Sequence, residues 1–161
     1  MGTGLGEGGR FNLRVVQGGR TVQGPVGEQR RDVMIVDDEE ISRELLASVI
    51  KRLDCPFVKV HEFADPGAAL SFAQDHPVDL GLIDLHLGSD QMDGLQLVDR
   101  IRGETPYGGG FSAILITADT EPMVVYEATR HGVEAVMEKA VNLYELALRC
   151  CALLRLPPPE A

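Results

Sequence analysis

The chain of 161 residues has no tryptophan, three lysines, three cysteines and no long apolar run. Each shortage excludes something. Cys55, Cys150 and Cys151 are odd in number and show neither C-x-x-C nor Cys/His zinc spacing, so a disulfide framework is not expected. They read as buried thiols in a reducing cytosol. No apolar stretch approaches the roughly 20 residues of a membrane span. The N-terminus lacks the apolar core of a signal peptide. A cytoplasmic protein without a membrane partner is the expectation. Bases number 15 against 25 acids, a net charge of −10. Binding to nucleic acid wants clustered Lys and Arg, so no nucleic-acid partner is expected. Neither G-x-x-x-x-G-K-[ST] nor G-x-G-x-x-G follows the first apolar run, which argues against a nucleotide site.

What is present divides unevenly. Apolar residues make up 44% and charged residues 25%, the balance of a globular chain of one domain plus some extra length. Half of the 18 glycines fall in residues 1–30, and that stretch is net basic, so the acidity belongs to the rest of the chain. Residues 1–31 read as a flexible glycine-rich extension. The alternative is a small hairpin over 11–23, where Phe11, Leu13 and Val15 alternate with polar residues before Gly18-Gly19. A domain over 32–156 and a proline-rich tail over 157–161 complete the chain.

Within the domain, short apolar runs over 33–36, 57–60, 80–83, 113–116 and 135–137 read as strands. Helical patterns alternate with them. The first, over 39–53, places Ile41, Leu45, Leu46, Val49, Ile50 and Leu53 on one side. Asp65-Pro66 opens the second, as cap and first residue. A third runs over 94–102 and a fourth over 121–131. Asn142 to Glu145 resembles a capping box that starts the fifth. In this last helix Leu143, Leu146, Ala147, Cys150 and Leu154 should face the sheet. Tyr144, Leu148 and Cys151 form a second stripe, read as a widening of the buried face. The alternative is a partner or dimer surface shared with Met123 and Val124. Strict alternation of strand and helix predicts an α/β fold, a parallel sheet wound right-handedly with helices on both faces.

Ligand sites in such sheets lie beyond the carboxyl ends of the strands. The first run ends in Asp37-Asp38, the third in Asp84, the fourth in Thr117 and the fifth near Lys139. Taken singly, each has an ordinary explanation. Asp37 to Glu40, for instance, favour the positive end of a helix dipole. Their joint placement is far less ordinary. Three neighbouring carboxylates repel one another, and a hard divalent cation with an open water shell, Mg²⁺ above all, relieves the conflict. With a lysine beside it, such a site suits phosphoryl chemistry: a carboxylate can act as nucleophile while the cations neutralise developing charge.

The segments M-I-V-D-D-E, L-I-D-L, I-L-I-T-A and M-E-K-A resemble the receiver domain of bacterial two-component response regulators, over about residues 32–156. The resemblance implies a flavodoxin-like five-stranded sheet of order 2-1-3-4-5. It implies that Asp84 is the phosphoacceptor. It also implies that Asp37, Asp38, Asp84 and the backbone carbonyl of His86 hold Mg²⁺, with the His86 imidazole only at the rim. Thr117, Ala118 and Lys139 match the switch and phosphate-binding positions. The implied partners are a sensor histidine kinase or histidine phosphotransfer protein and a downstream protein, with a homodimer through the fourth and fifth helices as a further option.

Four departures stand out. The loop after Asp84 is about two residues longer than the family's M-P-x-M-D-G and lacks its proline. Ala140 replaces the proline after Lys139, so a trans bond is expected there. Val136 stands where the switch aromatic is usual. No output domain is visible after the last helix. The implied function is a single-domain response regulator, a phosphoacceptor rather than an enzyme. A phosphorylation-independent interaction protein is the alternative. An aspartyl-phosphate phosphohydrolase is the weakest reading, because His86 sits where a second acid would be wanted.

Overall fold

A computed structural model describes residues 15–17, 20–22, 29–88 and 92–160. The expected disorder of residues 1–10 and residues 89–91 of the longer loop lie outside the described residues. Two short strands, β1 (Val15–Gln17) and β2 (Arg20–Val22), pair antiparallel with Val15 opposite Val22, inside the span considered for a hairpin.

The main sheet contains β3 (Arg31–Val36), β4 (Val58–Phe63), β5 (Leu80–Ile83), β6 (Ser112–Thr117) and β7 (Ala135–Glu138). All its pairs are parallel, in the order β4-β3-β5-β6-β7, which within the sheet is the expected 2-1-3-4-5. The helices are α1 (Glu40–Lys51), α2 (Pro66–Asp75), α3 (Gly94–Glu104), α4 (Pro122–Arg130) and α5 (Leu143–Leu154). None of the described helices is long and apolar enough to cross a membrane.

The central strands are apolar throughout because both sheet faces are covered. On β3, Val33 and Ile35 pack with Leu46 and Ile50 of α1 and with Leu146, Cys150 and Leu154 of α5. Met34 and Val36, pointing the other way, pack with Ala69 of α2 and Leu97, Val98 and Ile101 of α3. Each such side chain, fully buried, contributes on the order of 1.5–3 kcal/mol. All three cysteines are free thiols, Cys150 and Cys151 buried and Cys55 half-buried. Burial, with Cys151 beside it, pushes the Cys150 thiol up to about 12, so it packs as a small neutral hydrophobe.

The helix starts follow their local chemistry. Asp65 accepts a hydrogen bond from the Ala68 amide at 2.8 Å, with Pro66 in the first turn. Asp93 and Gln96 form a full capping box on α3, which the sequence pattern alone does not single out. The expected box on α5 is only half made. Asn142 accepts from the Glu145 amide, but the Glu145 carboxylate turns along the helix to Arg149 at 2.8 Å.

Three expectations need correction. The second strand of the sheet starts at Val58 and continues to Phe63, because its pairing with β3 extends to Val36 opposite Phe63. The apolar stripe of α1 does not all face inward: Ile41 is 82% exposed and Leu45 43%. At about 100° per residue, Leu45 lies well round the helix from Leu46, and Ile41 lies in line with Leu45. The inward arc is Leu46, Ala47, Val49 and Ile50. On α5 Cys151 is buried, but Tyr144 and Leu148 are exposed, so the second stripe is not a continuation of the core. The peptide bonds of the described residues are all trans, Lys139–Ala140 included, as expected.

The α1 correction predicts a sharp contrast in chemical unfolding. Ile50→Ala should cost about 2–5 kcal/mol as a cavity in the core, whereas Ile41→Ala should stay within about 0.5 kcal/mol.

Candidate functional site

The register of the sheet assembles the site. Val36 pairs with Ile83, so the next residues, Asp37 and Asp84, leave adjacent strands at the same level. The Asp84 amide donates to the Val36 carbonyl at 2.9 Å, and the Asp37 amide to the Phe63 carbonyl at 3.2 Å. Thr117 ends β6, and its carbonyl accepts the Lys139 amide at 2.9 Å, which continues the ladder of β6 and β7 one residue past Glu138. Asp37, Asp84 and Thr117 are buried, while Asp38 is exposed at the rim. The five residues marked by the strand ends therefore occupy one edge of the sheet, as their positions in the sequence imply.

The dominant contact is the Lys139 ammonium, which lies 2.7 Å from Asp84 Oδ2, 3.0 Å from Glu39 Oε2 and 3.3 Å from Asp37 Oδ2. Burial alone would lower its pKa, but the hydrogen bonds to Asp84 and Glu39 and the charges of Asp84 and Asp37 outweigh that and raise it. Lys139 is a permanent cation here. For Asp37 the balance goes the other way. Its burial raises the carboxyl pKa, and the nearby Asp84 charge adds to this, against the opposing Glu39 amide and Lys139.

Asp37 Oδ2 is the one buried side-chain oxygen among the described residues without a hydrogen bond, since Lys139 is close but not aligned to donate. Carboxylate oxygens of Asp37, Asp38 and Asp84 lie within 4.8 Å of one another. An orphaned buried oxygen beside two further hard oxygen donors fits a divalent cation of the Mg²⁺ type, with part of its shell left to water.

Around this centre the rim residues are distinct. His86 donates its amide to Asp84 Oδ1 at 3.3 Å, while its imidazole is exposed and stands 3.7 Å from Asp119 Oδ2. That agrees with the expectation that the ring sits at the rim. Asp119 in turn donates its amide to Thr117 Oγ1 at 3.1 Å, and Ala118 between them is exposed. Val136 is half-buried and packs against the cluster of Leu85, Leu95, Leu115 and Ala128 under α4. No aromatic ring occupies that position.

Sequence reasoning misses three residues of the site. By sequence Glu39 reads, with its neighbours, as a helix-dipole acid. It is the N-cap residue of α1 but makes no capping bond with its side chain. Its carboxylate instead accepts from Ser42 Oγ at 2.9 Å and meets Lys139, and these bonds hold it below the usual carboxylate range. Gly94 is forced by close approach: a Cβ there would lie 2.2 Å from the Asp84 carbonyl oxygen. Gly88, at φ +61°, would place a Cβ 2.8 Å from Asp38 Oδ2. The Asp-Gly pair at 93–94 is the only sequence signal of these constraints.

Acids at the ends of β3 and β5 and a lysine after β7 give this parallel α/β domain the donor set of phosphoryl chemistry. Residues 33–150 match the response regulator receiver domain, and the chain belongs to that family. It is 35% identical over 125 residues to the cyclic di-GMP phosphodiesterase response regulator RpfG of Xanthomonas campestris pv. campestris, covering 78% of this chain and 32% of that protein. It is 30% identical over 126 residues to the transcriptional regulatory protein SrrA of Staphylococcus aureus, covering 77% of this chain and 48% of that protein. The chain thus spans between about a third and a half of the length of these curated relatives. A CheY-like receiver domain from Methanospirillum hungatei superposes with a TM-score of 0.65 at 23% identity, over 79% of this chain and 95% of that one.

The buried charge at Asp37 has a consequence for stability. A raised folded-state pKa means that the folded protein holds this proton more tightly than the unfolded chain. The favourable contribution is full below the unfolded carboxylate value and is lost as pH rises through the folded one. Asp37→Asn should therefore raise the urea midpoint of the metal-free protein at pH 7. The gain should shrink toward pH 4, and Mg²⁺ should stabilise the wild type more than the variant.

Proposed function

We propose that the chain works as a phosphorylation-controlled receiver module whose phosphoacceptor is Asp84. The phosphoryl donor is a histidine kinase or histidine phosphotransfer protein of the cytoplasm. The observation that carries this reading is the Asp84 carboxylate, buried, 2.7 Å from a permanent ammonium and next to two further acids. One oxygen of Asp84 attacks phosphorus, and the bond from phosphorus to the donor breaks with its electron pair leaving on the donor. Asp37, Asp38, Asp84 and the His86 carbonyl would hold Mg²⁺, which would supply charge neutralisation for the carboxylates and the incoming phosphoryl oxygens. Lys139 neutralises a further oxygen. The Thr117 hydroxyl, buried at the end of β6, donates to the phosphoryl group.

The output is protein binding or onward phosphotransfer. Met123, Val125 and Tyr126 on α4 and Tyr144 and Leu148 on α5 are exposed apolar side chains, suited to a partner or a second copy. Val136 cannot swing an aromatic ring as Thr117 moves, so the signal passes through repacking of the small cluster under α4. The same feature favours the second reading, a receiver fold that binds its partner regardless of phosphorylation.

Incubation with Mg²⁺ and acetyl phosphate, followed by mass spectrometry, separates the readings. The first expects one labile phosphoryl group per wild-type chain, none on Asp84→Asn, and phosphorylation slowed about tenfold or more in Lys139→Ala. A wild type that stays unmodified with any donor sinks it and favours phosphorylation-independent binding. Rapid turnover of unrelated phosphate esters would point instead to a phosphohydrolase.

A further inference from the structure

We infer that Glu39 is a tethered competitor of the phosphoryl group, holding a Lys139 contact that a phosphoryl oxygen must take over. The inference rests on the reading of Asp84 as phosphoacceptor and adds a residue to it. An ammonium has three N–H donors. Three carboxylates surround this one: Asp84 at 2.7 Å, Glu39 at 3.0 Å and Asp37 at 3.3 Å. Lys139 donates to Asp84 Oδ2 and, at 3.4 Å, to Asp37 Oδ1, while Glu39 stands beside it as an ion pair, so a phosphoryl oxygen arriving at Lys139 must compete with the Glu39 charge.

Exposure and connectivity set Glu39 apart from the other two. The side chains of Asp37 and Asp84 are 1% and 5% exposed, and they belong with Asp38 to the group of oxygens able to share a cation. The Glu39 side chain is 64% exposed and lies outside that group. When the buried acids turn toward a cation, Glu39 is the carboxylate left on Lys139. It is also the cheapest to displace, because water resolvates it once it lets go. Its presence at Lys139 is organised: the Oε2 atom that meets the ammonium also accepts from Ser42 Oγ at 2.9 Å, one turn along α1. A carboxylate so placed opposes phosphorylation twice, by competing for the charge of Lys139 and by repelling the phosphoryl charge, about −1.5 to −2 for a monoester. Glu39 acts through Lys139 and is a positioning residue, with no role in bond breaking.

The test is a titration of the full chain with beryllofluoride, a phosphoryl mimic, at saturating Mg²⁺ and read by fluorine NMR. Glu39→Gln should bind about two- to fivefold tighter than wild type, the range of an exposed ion pair. The ratio should fall toward one as salt approaches about 0.5 M, a dependence that a merely structural role would not produce. Ser42→Ala, which frees the carboxylate without removing its charge, should tighten binding by a smaller factor. Urea midpoints verify that both variants are folded. Equal or weaker binding by folded Glu39→Gln overturns the competition while leaving the phosphoacceptor reading in place. A wild type that binds no beryllofluoride and accepts no phosphoryl group overturns both.

Discussion

The structure turns on one ammonium among buried carboxylates. Asp37 and Asp84 are withdrawn from water at the centre of the sheet edge, and an unpaired charge there would be strongly destabilising. Lys139 makes their burial tolerable, and it does so from the opposite end of the domain sequence. Its reach depends on β7 pairing with β6, on β6 pairing with β5 and on the Lys139 amide docking to the Thr117 carbonyl. Sheet order, register and site charge are therefore one constraint.

The compensation is incomplete, and the remainder is where function enters. One oxygen of Asp37 stays unbonded, and the three acids crowd one another. The pocket favours anything that brings positive charge. A cation relieves the acids directly. On the reading proposed above, a phosphoryl group would pair with Lys139 and leave the acids to the cation. The site is thus set between two charge states rather than tuned to one, which is what a switch requires. The glycines at 88 and 94 serve the same end by letting backbone and carboxylates approach more closely than any side chain would allow.

Two of the departures from the family pattern, Val136 and Ala140, lie in β7 and just beyond it. Val136 fills a small apolar cluster beneath α4, and Ala140 follows Lys139 with a trans bond. The exposed apolar residues of α4 and α5 lie on the elements that flank β7 in the chain. Beneath α4 the packing at Val136 is aliphatic, with no aromatic ring in that position.

The sequence by itself determined the five strands, their parallel arrangement and the polar residues at their ends. Continuous apolar runs closed by Asp37, Asp84 and Thr117 leave little choice of strand position, and strand–helix alternation leaves little choice of topology. Other features were decided only by the folded chain. Glu39 is indistinguishable from its acidic neighbours until β7 brings Lys139 within 3.0 Å of it. Ile41 and Leu45 look like core residues, because a stripe of apolar side chains does not state which part of the helix will be covered. Local pattern carries the strand ends that an apolar run closes with a polar residue, though not the end of the second strand of the sheet, which its pairing with β3 extends to Phe63. It cannot carry contacts between residues a hundred positions apart, whose partners are set by how the sheet closes.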